Sequence, residues 1–196
     1  MDHDNNDLAV FEGSAILSYL TRKYDPEHKF SFPVDSDDYT RADSWIGWQH
    51  GGVGPMQGQA NHFLRAAKEE IPWGIQRYVG ETERLYGILD AHLARPENKG
   101  YVAGGRYSIA DIALVGWANG AENATLDLEG QFPHVLEWLR RIWERPAVQR
   151  GFAVPKLPFY GGPTLGYTEE TKRKIEELKK VVDESKQKYG YVYKSP

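Results

Sequence analysis

The chain has 196 residues, 40% of them apolar and 27% charged, enough for one large domain with a sizeable core. Its 24 Lys and Arg against 28 Asp and Glu give a net charge of -4, which argues against a nucleic-acid or acidic-membrane role, and no apolar run approaches the roughly 18 residues of a membrane span. There is no cysteine, so no disulfide, thiolate metal site or cysteine nucleophile, which suits a cytoplasmic protein; the acidic start MDHDNNDLAV lacks the features of a signal peptide.

Asp2 to Asp7 reads as a polar turn, and Leu8 to Phe11 as a short strand. Gly13 to Tyr24 reads as a helix, with Ala15, Ile16, Tyr19 and Leu20 on one face. A strand and helix this small cannot bury both their faces alone. From about Ser36 the pattern is helical. Asp35, Ser36 or Asp37 can cap a helix carrying Ala42, Trp45, Ile46 and Trp48. The segment Gly51 to Gly58 holds four glycines and Pro55, which predicts a bend or break. A long helix follows from about Ile71 to Leu93, with the stripe Ile75, Tyr78, Thr82, Leu85, Leu89, Leu93. Ser108 to Asn119 and Pro133 to Glu144 are two more, Pro133 suiting a first helical turn. Phe152 to Gly166, with three prolines and three glycines, reads as a loop or linker. Glu169 to Tyr189 is a charged helix with a thin stripe of Ile175, Leu178 and Val182, predicted to dock by it. Glu169/Arg173, Glu170/Lys174 and Glu176/Lys180 are spaced for ion pairs.

Three stretches could carry chemistry. In Tyr107-Ser108-Ile109-Ala110-Asp111-Ile112, Ser108 caps the helix and the Asp111 carboxylate reaches back to the Ser108 N–H, which makes Asp111 a structural acid. In Phe11-Glu12-Gly13-Ser14-Ala15, a helix N-terminus offers N–H groups to a carboxylate, and Glu12 offers an acceptor to an ammonium. An α-amino-acid group would match both; helix capping by Glu12 and Ser14 is the equal alternative. In Trp48 to Phe63, glycines open a helix surface among amides and aromatics, which suits either a ligand pocket or tight helix packing at a dimer interface; Met56, Gln59 and Asn61 favour the pocket. The six histidines show no metal-ligand spacing, so no metal is expected.

Together these segments resemble the glutathione transferase superfamily, in which a thioredoxin-like domain ends in a strand–Glu-Ser–helix unit and an all-helical domain with a Ser/Thr-x-x-Asp capping box follows. VFEGSAILSYL matches the first signature, YSIADIA the second, and ERPAVQ the end of the helical core. WQHGGVGPMQGQANHF and IPWGIQRYVGETERLYGILD are similar, more narrowly, to the nu-like group related to the yeast nitrogen-regulator prion protein. The resemblance runs from about His3 to Ala153. It implies a mainly α fold: a remnant (strand plus helix) of a thioredoxin-like domain over 1–34, the helical transferase domain over 35–153, and a loop and helix extension over 154–196.

Two departures matter. The chain begins where the family's thioredoxin-like domain is more than half finished, without the loop whose residue faces the glutathione sulfur, so the catalytic residue is unknown. The family's Glu-Ser pair is Glu12-Gly13 here, with the serine one place late as Ser14. Carried over, the resemblance implies glutathione as co-substrate, bound by Glu12, Gly13, Ser14 and Arg84. It implies an electrophile beside Trp48, Met56, Gln59, Asn61 and Trp117, no membrane or nucleic-acid partner, and a homodimer weakened or rearranged by the missing half. Three activities stay open: addition of glutathione to an electrophile, as in fungal secondary metabolism; cis–trans isomerisation by reversible thiol addition; or a non-catalytic dimerisation or regulatory module.

Overall fold

The computed structural model describes residues 1–154 and 169–190, and among these the chain is mainly helical, with no β-ladder. It opens with a 3-10 turn, His3–Asn5, and a reversal in which Asn6 and Asp7 take positive φ values of 51° and 55°. Asp2 forms a single antiparallel bridge with Leu8 across that reversal. The strand expected over Leu8 to Phe11 is therefore absent: apolar β-formers become a strand only beside a partner segment, and the bridge to Asp2 is the one pairing there.

Helix α1 (Gly13–Tyr24) is tied to this turn by Asp2, whose carboxylate accepts from the Tyr19 and Tyr24 hydroxyls. Those two donors hold the Asp2 carboxyl below its usual range, and the same contact pushes the Tyr24 hydroxyl up to about 12. No residue of α1 is fully buried; Leu17 packs inward, while Ile16, Leu20 and Tyr24 stay exposed. The segment after α1 is pinned to the start of α5 (Ile109–Asn119). Ile109 N–H donates to the Phe30 carbonyl at 2.8 Å, and Arg106 donates to the carbonyls of Lys29 and Ser31. That anchorage fixes where α1 sits over α5.

Ser36 caps α2 (Asp37–Trp48), accepting from Tyr39 N–H at 3.2 Å. At the glycines, where a bend or break is predicted, the chain stays helical but leaves the regular α-helix. A π turn, Gln49–Val53, carries α2 into α3 (Gly54–Arg65), and Pro55, which has no N–H to bond back into the preceding turn, directly follows it. The long helix α4 (Pro72–Leu93) runs back against α3: Phe63 covers Gly74 and stacks on Tyr78, and Leu85 lies against Gly52. Tyr86, fully buried, donates to Gln57 Oε1 at 2.8 Å, and Gln57 Nε2 donates to the Trp117 carbonyl at 2.9 Å, which satisfies a polar thread through the core. Desolvation pushes the Tyr86 hydroxyl well up.

Short α6 (Leu128–Gln131) leads into α7 (Pro133–Trp143) and α8 (Pro146–Phe152), both with proline at their first turn. Asp90 of α4 caps α7 from outside, accepting from the N–H groups of His134 and Val135 at 2.8 and 3.0 Å. Of the Pro/Gly stretch expected from Phe152 to Gly166, the part beyond Val154 lies outside the described residues. Helix α9 (Glu169–Tyr189) docks on α4 as its stripe predicts: Ile175 and Val182 are buried and Leu178 packs on the core. Lys186 completes the contact with both Glu83 oxygens at 2.7 and 2.8 Å. Of the three expected ion pairs only Glu170–Lys174 forms; Glu169 reaches Lys172 and Glu176 reaches Lys179, one residue nearer in each case. Among the described residues, no helix is long and apolar enough to cross a membrane.

Candidate functional site

The first turn of α1, the π turn and α5 enclose a cleft of about 360 Å³. Gly13, Ser14, Ile16 and Leu17 line one wall, Gln49 and His50 a second, and Ile112, Ala113 and Trp117 a third. The volume falls within the usual range of small-ligand sites. Glu12 stands at its mouth as the residue preceding α1, with φ 69° and ψ 126°. A positive φ is uncommon for a residue with a side chain and costs on the order of 1–3 kcal/mol unless surroundings hold it. The Glu12 side chain makes no capping hydrogen bond with α1. Ile16 N–H is the first amide of the helix bonded back, to the Glu12 carbonyl at 2.9 Å. The preceding amides of Gly13, Ser14 and Ala15 are thus the free donors of a helix N-terminus. A carboxylate acceptor and a set of amide donors therefore stand side by side, without consuming one another.

Gly13 has an ordinary backbone conformation, and a Cβ there would meet nothing within 4 Å. Its presence is not a steric necessity, so a serine would fit. The Glu12 carboxylate is 63% exposed, and its Oε2 lies 3.4 Å from His50 Nε2.

The other expected site residues are distributed differently. Trp117 lines the cleft and also covers Gly54, where a Cβ would lie 3.3 Å from the indole ring. Trp48 sits edge-on to Trp45 at 4.9 Å and packs on the core, as Met56 does. Gln59 is exposed on α3, and Asn61 buries its Oδ1 without a hydrogen-bond partner. None of these four lines the cleft. Arg84 lies on α4 with its guanidinium in a double contact with Glu81, Nε to Oε2 at 2.9 Å and Nη2 to Oε1 at 2.7 Å, away from the cleft lining.

The capping box forms at the head of α5. Ser108 Oγ accepts from Ala110 N–H at 3.3 Å, and Ser108 N–H donates to Asp111 Oδ2 at 2.9 Å. The other Asp111 oxygen accepts from Val102 N–H and from the Trp138 indole, at 3.1 and 2.8 Å. Burial pushes the Asp111 carboxyl up, against the pull of these donors. It faces core, not cleft.

His50 was not singled out in the sequence. The signal was present as a histidine immediately before paired glycines, but what gives it meaning is the turn that places it opposite Glu12.

Several known proteins are similar to this chain. A family model for the glutathione S-transferase C-terminal domain matches residues 75–146. The glutathione S-transferase-like protein tpcF of Aspergillus fumigatus is 37% identical over 158 residues, 76% of this chain and 70% of its own. The disulfide-bond oxidoreductase YfcG of Escherichia coli is 40% identical over 161 residues, 80% of this chain and 71% of its own. Among solved structures, a glutathione transferase homolog from Lodderomyces elongisporus, with two glutathione molecules per subunit, superposes with TM-score 0.73 at 41% identity, covering 77% of this chain and 70% of its own. Ure2p in complex with S-hexylglutathione superposes with TM-score 0.71 at 30% identity, covering 76% and 71%. With its helical fold, its capping box and relatives of this closeness, the chain belongs to the glutathione transferase superfamily, among the relatives of Ure2p.

Proposed function

We propose that the cleft binds glutathione by its γ-glutamyl end, and that the chain uses the bound thiol in a reaction with a small electrophile. The observation that carries this reading is the Glu12 carboxylate, which stands at the N-terminus of α1 without a capping bond to its amides. An α-ammonium would donate to Glu12 and the adjacent carboxylate would accept from Gly13 and Ser14, with the helix dipole favouring the anion. The relatives crystallised with glutathione or S-hexylglutathione support the ligand. The reacting sulfur in this reading is glutathione's own. That holds for a disulfide reaction of the kind YfcG is named for, as well as for addition to an electrophile. Trp117 and Ile112 offer the apolar wall along which an electrophile would lie.

Glu12→Ala and Gly13→Ser test the binding step. A charge-assisted hydrogen bond contributes roughly 1.5–3 kcal/mol, so Glu12→Ala lowers glutathione affinity about tenfold or more by calorimetric titration. Gly13→Ser adds a hydroxyl in open space and raises affinity. Equal affinity for the wild type and Glu12→Ala would remove the ligand role of Glu12. Product analysis then separates the chemistries: a stable adduct gains the mass of glutathione, an isomer keeps the substrate's mass, and a regulatory module binds without turnover.

The homodimer and the division at residues 34 and 153 belong to the same proposal. Ile16 and Leu20, one turn apart and exposed on α1, suit a contact between copies. Light scattering at several concentrations reads it, and a concentration-independent monomer refutes it. A reducing compartment such as the cytoplasm suits a chain without cysteine.

A further inference from the structure

A second cavity, of about 470 Å³, lies between α5 and α8. Ile112, Val115 and Gly116 reach it from α5, and Val148, Gly151 and Phe152 from α8. Phe30 and Tyr107 close it, packed edge to face with ring centres 6.3 Å apart. Ile112 also lines the first cleft, so the two are neighbours. Among the described residues, one charged side chain lines this cavity, that of Arg145.

Packing does not account for its glycines. Gly116 and Gly151 both sit in helices, where glycine is less favourable than any residue but proline. Neither has a positive φ, and a Cβ at either would meet nothing within 4 Å. What their missing side chains leave open is the cavity. Nor is Arg145 occupied by an acid. Its guanidinium lies 4.0 Å from the centre of the Tyr107 ring, and among the described residues it meets no carboxylate. A guanidinium stacked by its face keeps its N–H donors at the edge of its plane, in the fork that matches a carboxylate.

We propose that this cavity binds a small organic acid with an aromatic body: the body lies between α5 and α8 over the two glycines, and the carboxylate pairs with Arg145. The volume falls within the usual range of small-ligand sites, with an apolar lining and one polar group to fix orientation. Phe30, Tyr107 and Phe152 offer ring edges and faces to an aromatic guest. Apolar burial supplies the affinity, and Arg145 supplies the selection of an anion over a neutral analogue of the same shape. The site stands apart from the glutathione reading, because no γ-glutamyl group takes part in it.

The experiment is calorimetric titration of the full chain with 2-naphthoate and with its neutral analogue 2-naphthamide, at low salt. Wild type binds the acid about fivefold more tightly than the amide, a modest figure because Arg145 is only partly buried and solvent screens the pair. Arg145→Gln removes that difference and leaves the amide's affinity unchanged. Gly116→Leu and Gly151→Leu fill the open space and weaken both probes at least tenfold, while the melting temperature of each variant shows that it remains folded. Equal affinity of wild type for acid and amide overturns the anion seat. Undiminished binding in both leucine variants places the probes elsewhere and overturns the site. Failure of wild type to bind either probe overturns it too, and light scattering then shows whether a second copy covers this face, by association that Gly116→Leu disrupts. Glutathione affinity, titrated separately, leaves each of these outcomes as it stands.

Discussion

Replacing Asp111 by alanine should unfold more of the protein's stability than any change at the cleft, and the size follows from its donors. The side chain is fully buried, and its two oxygens accept from Ser108 N–H, Val102 N–H and the Trp138 indole, with the Ser108 hydroxyl 3.3 Å away. Alanine leaves three buried N–H groups without acceptors. Each orphaned donor costs about 1–3 kcal/mol, less what is regained by no longer desolvating a carboxylate, which is the force that pushes this carboxyl up. A net loss of about 3–5 kcal/mol is expected, or roughly 6–20 °C in melting temperature at about 2–4 °C per kcal/mol for a chain of this size.

The sharper test is a cycle with Trp138→Phe. Alone, that change removes one donor from a satisfied carboxylate; on top of Asp111→Ala it removes an orphan, and so should cost at least about 1 kcal/mol less. Calorimetric melting of the four proteins reads the coupling. Strict additivity would show that the indole–carboxylate bond at 2.8 Å contributes nothing and would refute the argument. Glutathione affinity should be unchanged in any variant that remains folded, because Asp111 points into the core.

Two other predictions concern pH and the C-terminal helix. His92 packs at a tilt on Trp45, centroids 4.3 Å apart, and places Nε2 2.8 Å from the Val102 carbonyl, and burial holds its pKa below the usual value; the folded state thus prefers the neutral ring, so stability is complete above about pH 6.5 and falls as pH drops through the unfolded-state value toward the lower folded one. Melting temperature should decline over that window in the wild type and decline less in His92→Gln, and identical slopes would count against it. Val182→Ala in α9 removes a side chain that is 3% exposed and should cost about 2 kcal/mol; amide exchange should accelerate across Glu169–Tyr189 far more than in α5, and unchanged exchange in α9 would mean that its stripe does not hold it.

What the sequence disclosed was local. The capping box at Ser108 and Asp111 is readable because both hydrogen bonds close within one helical turn, and the stripe of α9 because a 3.6-residue period needs no knowledge of its partner. The third-party bonds to Asp111 were not readable, since Trp138 and Val102 reach it only through the packing of α7 and of the loop before α5. Leu8 to Phe11 differs for the converse reason: its composition favours a strand, but a strand is made by its neighbour, and the neighbour here is one residue, Asp2.

The glycine segment shows how the same blindness divides a site. Low helix propensity at Gly51, Gly52 and Gly54 predicts a bend or break, yet Leu85 lies against Gly52 and the Trp117 ring against Gly54, where a Cβ would press on the indole. Tertiary packing thus rewards small residues at positions that local propensity penalises, and the helix continues at the expense of one wide turn. That turn is what brings His50 round to Glu12, across an intervening stretch that contains the whole of α1 and of α2. Sequence reasoning could find Glu12, because a helix start advertises its own amides. It could not find His50, because the residue's place opposite Glu12 is created by glycines whose own purpose is to let Trp117 and Leu85 approach.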